Sequence, residues 1–113
     1  MEPKATVSPA DFAACDLRIG TILSAEPLEN ARKPAYVLRI DFGPMGILKS
    51  TAQLALDYSE QELQGKQVVA VVNFPPKQVG PHQSRCLVLG AVQGANVSLL
   101  ELPRSVPAGT PVS

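Results

Sequence analysis

The chain is poor in the residues that most chemistry requires. It has no tryptophan, one histidine, two cysteines, two tyrosines and three phenylalanines among 113 residues. His82 has no second ligand at metal spacing, which argues against a histidine metal site. Cys15 and Cys86 lie far apart among apolar neighbours. Both are expected as buried free thiols rather than a disulfide or metal pair. No GxGxxG or P-loop is present to cradle a phosphate. Ser84, His82 and Asp41 can be named as a triad, but no nucleophile elbow surrounds Ser84. Carboxylates are sparse in the expected strands, which argues against paired-acid catalysis. The expectation is a noncatalytic protein with no cofactor and no metal. No apolar run is long enough for a transmembrane helix, and the N-terminus lacks a signal-peptide pattern. A cytoplasmic protein without membrane insertion is therefore expected.

Net charge is missing too. Ten basic residues balance ten acidic ones, so no global field draws the protein to nucleic acid or membrane. The distribution is uneven, however. No Asp or Glu occurs between Glu62 and Glu101, while Lys66, Lys77 and Arg85 do. A basic face on a neutral protein is expected. The length suits one domain with one core and no metal or disulfide staples. Residues 1–7 are expected as a flexible leader and residues 8–113 as the domain.

What is present is β-strand pattern. Ser8-Pro9-Ala10-Asp11 reads as a helix start, with Ser8 capping and Phe12 pinning the helix to the body. Leu17–Ala25 places Leu17, Ile19, Thr21 and Leu23 on one face, and Gly20 within it suggests a bend or bulge. Tyr36–Phe42 alternates, with Tyr36, Leu38, Ile40 and Phe42 inward and Val37, Arg39 and Asp41 outward. Gly43–Gly46 turns the chain back into Ile47–Thr51. Ser59 and Glu62 fit a capping box, and Gly65 fits the stop of that helix. Between Gln67 and Gly90, two apolar runs read as buried strands around a basic loop, Pro75–Arg85. Asn96–Leu102 is a further strand, and the Pro-rich tail is expected to lie along the body. Five strands with a helix between the third and fourth give an all-β fold. The pattern is the five-stranded OB-fold Greek-key barrel, here with short helices and extra C-terminal strands.

That fold suggests where a ligand would bind. Arg32 and Lys33 tip the loop joining the first two strands, Lys77 begins the loop joining the last two, and Lys49 projects from the third strand. In an OB-fold these loops flank the exposed face of strands two and three. With Arg85, the cations suit phosphates. The aromatic rings are expected to be mostly buried, so shape and phosphate contacts with folded RNA fit better than base stacking. An extended basic or apolar peptide suits the same surface. Leu99, Leu100, Leu102, Val106 and Val112 are open to two readings, as core or as cover for a second subunit.

Several stretches resemble the tRNA-binding domain family, and within it the CsaA-type secretion chaperones. They are DLRIGTI at Asp16–Ile22, ARKPAYVLRIDFG at Ala31–Gly43, GILKSTAQL at Gly46–Leu54, VVAVVNFPPKQVG at Val68–Gly80 and SRCLVLG at Ser84–Gly90. The resemblance implies a noncatalytic homodimer with tRNA, and unfolded preproteins or the secretion machinery, as partners. The alternative it leaves is a dedicated structure-specific tRNA-binding protein with no chaperone role. The charge reading and the resemblance together give the RNA- or peptide-binding candidates Arg32, Lys33, Lys49, Ser50, Gln53, Asn73, Lys77, Gln78, Ser84 and Arg85, of which Lys33, Lys49, Ser50, Gln53, Asn73 and Ser84 match the family's motifs. Thr51 stands where the family usually has Ser, and Cys86 where a larger apolar residue is common. Arg85 stands where an acid is usual.

Overall fold

The computed structural model describes residues 2–113. Met1, the first residue of the expected leader, lies outside the described residues. In chain order the elements are α1 (Pro9–Ala13), β1 (Leu17–Pro27), β2 (Tyr36–Asp41), β3 (Ile47–Ala52), α2 (Glu60–Leu63), β4 (Gln67–Val71), β5 (Lys77–Val79), β6 (His82–Ser84), β7 (Leu87–Val88), β8 (Gly90–Gln93), β9 (Asn96–Leu99) and β10 (Pro111–Val112).

The helix starts behave as expected. Asp11 N–H donates to Ser8 Oγ while the Asp11 carboxylate accepts from Ser8 N–H, and Ser59 with Glu62 repeats the arrangement at α2. Such reciprocal caps satisfy donors that a helix end leaves unpaired. Phe12 departs from expectation. It is 52% exposed, and α1 buries no residue. A helix this short has no further turn to bring a second apolar side chain beside Phe12. The junction after α1 is tied by hydrogen bonds instead. Asn73 Nδ2 donates to Ala14 O at 2.8 Å, and Asn73 Oδ1 accepts from Asp16 N–H at 2.9 Å.

The main sheet runs β3-β2-β1-β4-β7, with β10 added beside the start of β1. Strand β1 is shared. Leu17–Thr21 pair with β4 and Thr21–Pro27 with β2. Arg85 N–H donates to Lys49 O at 2.8 Å and Thr51 N–H to Ser84 Oγ at 3.2 Å, drawing the far end of the sheet onto β3. These five strands form the barrel of an OB-fold. Its core holds Ile22, Leu38, Ile40, Phe42, Leu63 and Val68 among others.

Two details of β1 correct the sequence reading. The register shifts between Ile22 and Ser24, so Ile22 turns inward and Leu23 outward. A slip of one residue reverses the faces, which a strict alternation rule misses. Gly20 is not the bulge. A Cβ there would lie 2.5 Å from Ile40 Cγ2 and 2.6 Å from Phe42 Cε1, so glycine admits those side chains to the core. On β2, Val37 is buried although expected outward, while Arg39 is exposed.

The expected loop Pro75–Arg85 is largely a hairpin, β5 against β6, turning at Gly80 with φ +56. The apolar run after it divides. β7 is an edge strand of two residues, so Leu87 faces outward and stays exposed. β8 and β9 form a separate hairpin, tied down where Val97 N–H donates to Asp57 Oδ2 and Leu99 N–H to Tyr58 Oη. The tail follows the body as expected. Gln67 clamps the Val106 backbone with bonds of 2.7 and 3.0 Å, and Gly109 N–H donates to Ile19 O at 2.7 Å.

Candidate functional site

Most of the described cations enter no ion pair. Among the described residues the ion pairs are Arg18–Asp16 at 2.6 Å and Lys66–Glu101 at 3.0 Å. Lys66, part of the basic segment in sequence, is thereby neutralised. Arg32, Lys33, Arg39, Lys49, Lys77 and Arg85 are all exposed and enter neither pair.

The fold brings Arg32, Lys33 and Lys77 together at the end of β3. A cleft of about 450 Å³ lies between the β1–β2 loop, the end of β3 and the β5–β6 hairpin. Arg32, Lys33, Gln53 and Lys77 line it. Further along β3, Lys49 stands opposite Arg39 in the β2–β3 register, and Arg85 bonds through its backbone to Lys49. Arg39 was missed as a site residue. Its outward direction is visible from the alternation of β2, but its juxtaposition with Lys49 depends on register.

Other candidates serve the scaffold. Ser50 is 1% exposed, so its side chain does not reach a surface ligand. The cause is alternation, since Lys49 outward places Ser50 inward. Asn73 spends both polar atoms on the α1–β1 junction. Ser84 Oγ accepts from Thr51 N–H and donates to Cys86 O at 3.5 Å. Gln78 is exposed, and its Nε2 donates to Gly80 O across the hairpin turn.

Cys86 is a buried free thiol, and burial pushes its pKa up to about 11. Cys15, expected to be buried, is half-buried. Of the apolar residues open to two readings, Leu99 lies in the core, Leu100 and Leu102 are exposed, and Val106 and Val112 are half-buried. The rings are less uniformly buried than expected. Tyr36 and Phe42 are in the core, but Phe74 is 48% exposed.

A second cleft, of about 360 Å³, is mainly apolar. Leu54, Leu87, Leu89, Val92 and Val97 contribute to its walls beside the same end of β3. No group of three or more His, Cys, Asp or Glu that could hold a metal ion occurs among the described residues. No helix among them is long and apolar enough to cross a membrane.

The family model of a putative tRNA binding domain matches residues 17–111. This chain belongs to the tRNA-binding domain family. Methionine–tRNA ligase of Archaeoglobus fulgidus is 34% identical over 112 residues, which are 99% of this chain and 17% of the ligase. The ligase of Pyrococcus horikoshii is 35% identical over 102 residues, 90% of this chain and 14% of its own length. The chain thus spans under a fifth of these enzymes.

Two solved CsaA structures match along their whole length. The crystal structure of chaperone CsaA from Bacillus anthracis has 46% identity and a TM-score of 0.92, covering 96% of this chain and 100% of that one. The CsaA chaperone protein from Picrophilus torridus has 40% identity and a TM-score of 0.88 at the same coverage. In this tRNA-binding domain the stretch GILKSTAQL builds β3, and NFPPKQVG builds the start of the hairpin that faces it.

Proposed function

We propose that this chain binds tRNA, or a folded RNA of similar shape, without catalysis, across the face formed by β3, the β1–β2 loop and the β5–β6 hairpin. One observation carries the reading: Arg32, Lys33 and Lys77 line one cleft at the end of β3, Arg39 and Lys49 stand opposed on the β2–β3 pair leading to it, and none of these five lies in an ion pair found among the described residues. Unpaired cations gathered along one face attract a polyanion, and release of its counterions drives binding. The family assignment and the likeness to portions of methionine–tRNA ligases support the same ligand. A salt titration of tRNA binding tests it. The logarithm of affinity should fall linearly with the logarithm of salt, and a flat response would overturn the reading.

A second reading has its own observation. The apolar cleft beside β3, with Leu87 and Val92 exposed at it, suits an extended apolar segment of an unfolded preprotein. Likeness to CsaA chaperone structures supports that role. Client binding of this kind holds or strengthens in sulfate, opposite to RNA binding. The exposed Leu100 and Leu102 support a homodimer. Sedimentation at micromolar concentration tests this, with a monomer as the contrary result. Cytoplasmic residence agrees with an RNA partner and with capture of preproteins before export.

A further inference from the structure

The NFPP segment holds an aromatic ring away from the core. Phe74 is 48% exposed, whereas Phe42 is fully buried. Its backbone is fixed on both sides. Asn73 is anchored by its two hydrogen bonds across to Ala14 and Asp16. Pro75 and Pro76 follow, and a residue before proline is confined to extended backbone. The ring is therefore presented by a segment with little freedom left to lose, which lowers the entropic cost of using it in binding.

Phe74 forms a wall of a cleft of about 190 Å³, with Pro75, Lys77, Ser84, Arg85 and Leu87 also around it. Lys77 lines both this cleft and the larger one beside β3, so the two adjoin at that side chain. Neither Lys77 nor Arg85 belongs to an ion pair among the described residues. An aromatic ring and two such cations lining one cleft match a ligand that is planar and anionic in adjacent parts. A purely apolar side chain would cover Phe74 and leave both charges without counter-charge.

We infer that the cleft between Phe74, Lys77 and Arg85 seats one unpaired nucleotide of the bound RNA, its base stacked on the Phe74 ring and its neighbouring phosphates held by the two cations. The inference rests on the RNA-binding reading and deepens it. It makes the ligand an RNA with an accessible, unstacked base, not a plain duplex. Base–aromatic stacking tolerates any base, because every base has a π-face.

The test uses Phe74→Leu, which keeps an apolar side chain and removes the ring face, with bulk tRNA, a short oligoadenylate and a blunt-ended RNA duplex as probes. The variant should keep the wild-type thermal midpoint, since the ring is half exposed. It should bind tRNA and oligoadenylate about tenfold more weakly. Its salt slope should be unchanged, because no phosphate contact is lost. Duplex binding should not move. Phe74→Trp would be the only tryptophan in the chain, and oligoadenylate should quench its fluorescence. Wild-type affinity for oligoadenylate in Phe74→Leu, an equal loss for the duplex, or an unquenched tryptophan would overturn the inference while leaving RNA binding in place. A blue shift with an unfolded peptide and no response to RNA would assign the cleft to peptide instead. A wild-type protein that binds none of the three RNAs would overturn both this inference and the RNA-binding reading.

Discussion

Arg39 on β2 and Lys49 on β3 are directly opposed residues of like charge. Cross-strand partners point to the same face, and like charges in that position destabilise a sheet. Neither belongs to an ion pair among the described residues. Lys49→Gln should therefore raise unfolding free energy by roughly 0.2 to 0.5 kcal/mol. The same change should weaken tRNA binding and lower the salt slope by about one. Denaturant titration and binding isotherms on one preparation check the pair of effects. A variant that loses both stability and affinity would contradict this account.

Asn73 gives the opposite combination. Asn73→Ala removes both side-chain bonds that help tie the α1–β1 junction to the end of β4. It should cost about 1 to 2 kcal/mol of stability, since each bond contributes about 1 kcal/mol. Binding of tRNA, measured well below the unfolding transition, should weaken only a few-fold and keep the wild-type salt slope, because Phe74 loses part of its preorganisation while no cation is removed. A large loss of affinity with normal stability would make Asn73 a contact residue.

Gly20→Ala tests packing inside the barrel. The added methyl would sit 2.5 Å from Ile40 Cγ2, and a buried strand gives it little room to move. The expected cost is about 1 to 3 kcal/mol by chemical denaturation, typical of overpacking. An unchanged midpoint would mean that β1 and β2 can separate more easily than their packing suggests.

The Cys86 thiol makes alkaline stability depend on pH. Its pKa rises from 9.0 to about 11 on folding because burial disfavours the thiolate. Stability from this group is complete below pH 9.0 and is lost as pH rises toward about 11, because the unfolded chain releases the proton first. Wild type should lose thermal stability across that window more steeply than Cys86→Ala. Parallel curves would show that the thiol ionises equally in both states.

Strand alternation made much of this fold legible. The pattern YVLRIDF placed Leu38, Ile40 and Phe42 inward, and the barrel buries all of them. The caps at Ser8 and Ser59 were readable because their geometry is local. Leu23 was misread because a bulge leaves no mark in an apolar run. Arg39 escaped because its role depends on which residue of β3 stands across from it. Ser50, Asn73 and Ser84 carry polar side chains that suit a ligand, but the fold buries Ser50 and bonds Asn73 and Ser84 to its own backbone. Phe74 was not singled out from the rings, which were expected to be mostly buried. Only the path of the backbone through two prolines shows that it faces out.

The seam between β3 and the chain at Ser84 and Arg85 has a dynamic consequence. The bonds Arg85 N–H to Lys49 O and Thr51 N–H to Ser84 Oγ hold the β5–β6 arm against β3, and the same residues frame the cation-lined face. Opening that seam separates Lys49 from Arg85 while the rest of the β1–β4 sheet stays paired. Local opening of this kind has its own free energy, below that of global unfolding. A ligand that bridges the seam must bind the closed form, so it slows amide exchange at Thr51 and Arg85 more than in the middle of β4. The apparent affinity of the site thus contains the closing equilibrium of one seam, and weakening that seam lowers affinity without touching a single cation.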